Sequence, residues 1–115
     1  MIEQNPKEEV LSVIKAIEAD PAATQRNVSR KVSISLGKTN YLLKELIKKD
    51  MVKTMSFFNN PGKLRKIGYI LTKKGLEEKT RLTYYFLRKK EWEYNILKEE
   101  WKKVIADKNK RPAEE

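Results

Sequence analysis

From Leu76 to Arg111 the chain carries neither glycine nor proline. Within that stretch Leu76, Thr80, Thr83, Leu87, Lys90, Tyr94, Leu97, Trp101 and Val104 recur in steps of four and three, the heptad spacing of a helix–helix seam. A helix of about 35 residues runs roughly 50 Å. The chain of 115 residues is therefore expected to hold one small domain, residues 1–75, then a long helix, residues 76–108, and a tail, residues 109–115, with little to bury. Six of the ten aromatic residues (Tyr84, Tyr85, Phe86, Trp92, Tyr94, Trp101) fall on the long helix, too many for a solvated rod. Leu76, Leu82 and Phe86 are expected to pack on the parent domain, and Leu87, Tyr94, Leu97, Trp101 and Val104 on a second copy, giving a homodimer. Lys90 interrupts this seam and either sets its register or snorkels to solvent. A monomer with the helix folded back on itself would need a breaker near the middle, and the stretch has none.

The first 75 residues read as three short helices and a hairpin. Asn5 caps a helix that starts at Pro6, with Val10, Leu11, Ile14 and Ile17 at helical spacing until Asp20 and Pro21 stop it. Thr24 caps a second helix over 25–32, with Val28 and Val32 inward. After Ser33 and Ile34, Ser35 caps a third helix from Leu36 to about Lys49, with Thr39, Leu42, Leu43, Leu46 and Ile47 inward and Gly37, Lys38, Asn40, Tyr41 and Lys44 outward. Two helices joined by so short a turn make a helix-turn-helix candidate. Residues 51–58 and 67–71 favour strands around the turn signal Asn59-Asn60-Pro61-Gly62. Neither strand alternates cleanly, so the pattern does not tell which face is buried. The fold class is thus mainly α with a small β-hairpin wing (α+β): a winged helix-turn-helix with a long C-terminal dimerisation helix.

Charge separates the function classes. The net charge is +10, but residues 1–23 carry −3, residues 24–74 carry +11 and residues 75–115 carry +2. The excess lies on the helix-turn-helix and hairpin, as a phosphate-facing surface requires. With no cysteine and no histidine, disulfides, thiolate nucleophiles, Cys/His zinc sites and histidine bases are excluded, and on the basic and amide candidate surface no acid pair or nucleophile converges. The expectation is a protein that is not an enzyme and holds no metal and no cofactor. No apolar run approaches the roughly 18 residues of a membrane span, and the N-terminus lacks a basic-then-apolar signal. The default is a cytoplasmic protein with no membrane partner.

The candidate partner is double-stranded DNA. At the start of the second helix Thr24, Gln25 and Arg26 stand beside backbone amides that suit a phosphate. On the third helix, Ser35 leads into Gly37, which permits close backbone approach, Lys38, which can donate to guanine, and Asn40, which suits adenine. Tyr41 either touches a thymine methyl or a phosphate or is a half-buried packing residue, and Lys44 one turn on meets phosphate. Lys48 and Lys49 suit the helix C-terminus and stay outside the site. The hairpin tip displays Lys63, Arg65 and Lys66. The alternative is a winged-helix adaptor that docks on another protein through the long helix. Structured RNA fits less well, because a helix end cannot enter its narrow major groove.

Four runs carry a family resemblance: Thr24-Gln25-Arg26, Ser35-Leu36-Gly37-Lys38-Thr39-Asn40-Tyr41, Leu71-Thr72-Lys73-Lys74-Gly75-Leu76-Glu77-Glu78-Lys79 and Phe86-Leu87-Arg88-Lys89-Lys90. Over about residues 8–100 the chain resembles the MarR-like regulators associated with bacterial exopolysaccharide gene clusters. The resemblance implies a dimeric winged-helix transcriptional regulator. Larger MarR proteins dimerise through helices at both ends and often bind small phenolic effectors between the lobes. The short N-terminal arm here departs from them, which leaves a small-molecule effector doubtful.

Overall fold

The structure, a computed structural model, describes residues 6–58 and 65–110. Its elements are α1 (Pro6–Ala19), α2 (Gln25–Val32), α3 (Leu36–Lys48), β1 (Val52–Phe58), β2 (Arg65–Leu71) and α4 (Lys73–Lys110). The two strands pair antiparallel. Two compact units meet in sequence at Leu82 and Thr83.

In the first unit the helices begin where side-chain oxygens satisfy free amides. Asn5, the expected cap of α1, lies outside the described residues, and Pro6 is the first helical residue. Thr24 Oγ1 accepts from the Asn27 N–H at 3.2 Å, and Ser35 Oγ accepts from the Lys38 N–H at 3.0 Å. The turn between α2 and α3 is tight because Ser33 takes a left-handed conformation, φ 62°, and the Ser29 hydroxyl donates to the Ile34 carbonyl at 2.6 Å. Along α3, Thr39, Leu43 and Leu46 are buried, and Leu42 and Ile47 are half-buried. They close on Val13, Ile14 and Ile17 of α1, with Val28 and Val32 of α2, Val52 and Tyr69 of the strands and Leu82.

The hairpin register pairs Val52 with Leu71, Thr54 with Tyr69 and Ser56 with Ile67. Side chains on one face of a sheet recur every second residue, so Val52, Tyr69 and Leu71 share the core face while Lys53 and Ile70 share the other. Ile67 and Ile70 lie on opposite faces and both are exposed, which is why alternation did not identify the buried side. The Tyr69 N–H donates to the Pro21 carbonyl at 3.3 Å and ties the wing to the α1–α2 connection. Burial pushes the Tyr69 phenol pKa up.

α4 begins at Lys73, earlier than the Leu76 expected. The Thr72 hydroxyl donates to the Asp50 carbonyl at 2.6 Å and accepts from the Gly75 N–H at 3.1 Å, so it joins the end of α3 to the start of α4. Gly75 is buried, and a Cβ there would run into the Met51 carbonyl oxygen and lie 2.6 Å from Leu71 Cδ1. This phase corrects one expectation: Leu76 does not pack inward but is 46% exposed. The inward face of this segment carries Gly75 and, two turns later, the buried Leu82, and Leu76 sits about 100° round the helix from Gly75. Lys79 pairs with Glu18 of α1.

The second unit consists, among the described residues, of α4 from Thr83 to Lys110, roughly 40 Å of helix. Leu87, Tyr94, Leu97, Trp101 and Val104 are all more than half exposed. Ion pairs three residues apart, Arg88 with Glu91 and Glu99 with Lys102, line its polar faces. Lys90 lies 3.9 Å from Glu93 of the same helix. Phe86 is buried, with the Tyr85 ring edge-on to it.

Candidate nucleic-acid interface

The outward surface of α2, its turn and the first half of α3 is built from side chains of two kinds. The first kind has a partner inside the protein. Thr24 and Ser35 serve as caps, and the Ser35 carbonyl accepts from the Thr39 hydroxyl at 2.9 Å. Gln25 Nε2 donates to the Leu36 carbonyl at 3.4 Å, a weak tether between the two helix starts. Lys38 reaches back to α1, where its Nζ lies 2.8 Å from Glu9 Oε2. The second kind is left to the outside. Arg26, Tyr41 and Lys44 are exposed, Tyr41 to 61%, and Asn40 is half-buried between them. A Cβ at Gly37 would meet nothing within 4 Å, so no packing demand accounts for the glycine.

Of the helix-turn-helix residues nominated from the sequence, Thr24, Gln25, Ser35 and Lys38 thus have partners inside the protein, whereas Arg26, Tyr41 and Lys44 are exposed and Asn40 is half-buried. Of the hairpin residues, Lys63 lies outside the described residues. Arg65 and Lys66 are strand residues in register with Phe58 and Phe57. Sequence reasoning passed over Glu9, which is buried although ionisable. The signal was faint: two adjacent glutamates, Glu8 and Glu9, stand in the first turn of α1, Glu8 half-buried and Glu9 buried, and the local string does not tell them apart.

A separate cavity of about 210 Å³ in the first unit has Val10, Leu42, Leu46, Met51 and Leu82 among its lining, together with Lys7, Glu45, Lys49, Glu78 and Arg81. Arg81 makes two hydrogen bonds of 2.7 Å to Glu78, and these hold the Glu78 carboxyl below the usual range. The volume falls short of the roughly 300 Å³ at which pockets for drug-sized ligands begin. Among the described residues there is no cluster of three or more metal-ligating side chains, and no helix is long and apolar enough to cross a membrane.

Residues 10–53 match the winged helix-turn-helix DNA-binding family. The fold is a winged helix with a long C-terminal helix. No curated protein sequence matches the chain. Among solved structures it is similar to the PcaV transcriptional regulator of Streptomyces coelicolor, with 18% identity and a TM-score of 0.62 over 88% of this chain and 77% of that one. It is similar to Sso10a-2, a DNA-binding protein from Sulfolobus solfataricus, with 19% identity and a TM-score of 0.62 over 96% of this chain and 100% of the other. It is also similar to MepR of S. aureus in a complex with DNA, with 18% identity and a TM-score of 0.53 over 91% and 78% of the two chains. Likenesses at such identities bear on the fold.

Proposed function

We propose that this chain is a MarR-like transcriptional regulator that binds double-stranded DNA with sequence preference, as a homodimer on an inverted-repeat operator, with exopolysaccharide gene clusters as candidate targets. One observation carries the reading: Asn40, Tyr41 and Lys44 stand outward along α3 with Arg26 across the turn, on the segment whose net charge is +11. In a winged helix this face enters the major groove. Asn40 then pairs with an adenine edge, Tyr41 meets a thymine methyl or a phosphate, and Lys44 and Arg26 neutralise phosphates. Lys63, Arg65 and Lys66 would add backbone contacts from the wing. The regulatory and DNA-bound character of the similar structures supports the same assignment. No cofactor or metal enters this mechanism.

Dimerisation would run along Leu87, Tyr94, Leu97, Trp101 and Val104. Two winged domains on one two-fold axis reach half-sites about one helical turn apart. The exposure of that same stripe also favours a second reading, an adaptor that docks on another protein. Salt separates the two, because phosphate binding weakens steeply with added salt and an apolar interface does not. The test of the main reading starts from duplexes that the protein retains out of sheared genomic DNA. Asn40→Ala should cost about 1–3 kcal/mol on the retained sequence and relax preference there. Equal loss on retained and random duplexes would remove α3 from sequence reading.

A further inference from the structure

Glu9 and Lys38 join the first turn of α1 to the first turn of α3, across 29 positions of sequence. The two partners are unequally placed: the Glu9 side chain is 5% exposed and that of Lys38 50%. A buried carboxylate left without its cation is strongly destabilising, so Lys38 cannot leave Glu9 for a DNA phosphate without stranding a charge in the interior. An ammonium, however, has three N–H donors. With one directed at Glu9, the others are free to point outward from the half-exposed end of the side chain.

What such a half-committed lysine can bind follows from electrostatics. A phosphate approaching it brings a full negative charge next to the Glu9 carboxylate. The O6 and N7 atoms of guanine bring only neutral acceptors and share the remaining donors without opposing Glu9. We propose that Glu9 is a specificity-determining residue: by holding Lys38 in a neutral pair, it withholds this lysine from the phosphate backbone and reserves it for a base edge. Glu9 itself touches no DNA and is a positioning residue that acts through Lys38. The inference rests on the reading of α3 as the recognition helix.

The experiment titrates potassium chloride against binding of the full chain to a short duplex of randomised sequence, for wild type, E9Q and E9Q/K38Q. Glutamine is isosteric with glutamate and carries no charge, so E9Q releases Lys38 to phosphate. Its logarithmic salt slope should steepen by about 0.9, the value of one added phosphate contact, with tighter binding at low salt. In E9Q/K38Q the slope should return to that of wild type. An unchanged slope in E9Q overturns the inference, and so does a steepening that survives in the double variant, which would make Glu9 a bulk charge acting independently of Lys38. Should E9Q not fold, side-chain NMR of the lysine ammonium groups in the unaltered protein decides: on addition of the random duplex the Lys44 signal moves and the Lys38 signal stays. A Lys38 shift as large as that of Lys44 overturns the inference. A wild type that binds no duplex at any salt overturns the DNA reading and this inference with it, whereas wild-type binding with an unaltered E9Q slope overturns this inference alone.

Discussion

The two units of this chain treat their apolar residues in opposite ways. Up to Leu82, the large aliphatic residues of α1, α2 and α3 converge on one another, and Val13, Ile14, Leu43 and Leu82 are buried almost completely. From Thr83 on, Leu97 is 64% and Trp101 62% exposed although both are as apolar as anything in the core. A side chain of this size contributes about 1.5–3 kcal/mol when fully buried. The first unit realises that energy within one chain, and at Leu97 and Trp101 the second leaves it unrealised, which on the proposed function is available to a dimer. Stability and assembly should therefore be separable by mutation.

The sharpest way to break the contrast is to end the chain after Leu87. The remaining winged domain should stay folded by circular dichroism, run as a monomer in light scattering, and bind a full operator on the order of 10²–10⁴-fold more weakly, because linked sites lose their effective concentration. A dimer of undiminished affinity would defeat the proposal. Next comes a matched pair of leucine truncations. Leu43→Ala should cost about 2–5 kcal/mol in urea unfolding, as a buried cavity does, while Leu97→Ala in dilute protein should stay within about 0.5 kcal/mol, as surface changes do. Equal losses would erase the difference between the units. A smaller effect belongs to Ser35→Ala, which deprives the Lys38 N–H of its acceptor and should lower stability by about 1 kcal/mol.

The smallest effect concerns pH. Burial raises the Tyr69 phenol above its ordinary value of 10.0, so in the alkaline range the unfolded chain releases this proton first. Stability contributed by the neutral phenol is present below the ordinary tyrosine value and declines as pH rises through it. Tyr69→Phe should flatten that alkaline limb in thermal melts, and an unchanged limb would assign it to other groups.

How much of this was legible in the sequence depended on the range of the interaction concerned. Thr24 and Ser35 were readable as caps because a hydroxyl bonds an amide three residues away, a relation contained in the local string. The inward face of α3 was readable because helical period alone sorts Thr39, Leu43 and Leu46 from Lys44. Lys38 was read as simply outward, and no local pattern could say which glutamate of α1 it would meet. The phase of α4 against its own domain was misread at Leu76. The heptad stripe is the strongest periodic signal there, but the contact with the wing base is set by a residue with no side chain at all, Gly75, whose burial leaves no hydrophobic trace. The heptad stripe of Leu87, Tyr94, Leu97, Trp101 and Val104 was visible as a pattern, and its exposure was not, since an exposed apolar stripe is written in the same periodicity as a buried one.

Gly75 and Gly37 also differ in what a geneticist would see. Any missense change at codon 75 adds a Cβ where the Met51 carbonyl and the Leu71 side chain already stand. A loss-of-function screen would therefore recover this position as a folding lesion, with low protein levels and no bearing on DNA. At codon 37 the added atom meets nothing of the protein. Alleles there should accumulate normally, and any phenotype they show reports on what the helix surface touches.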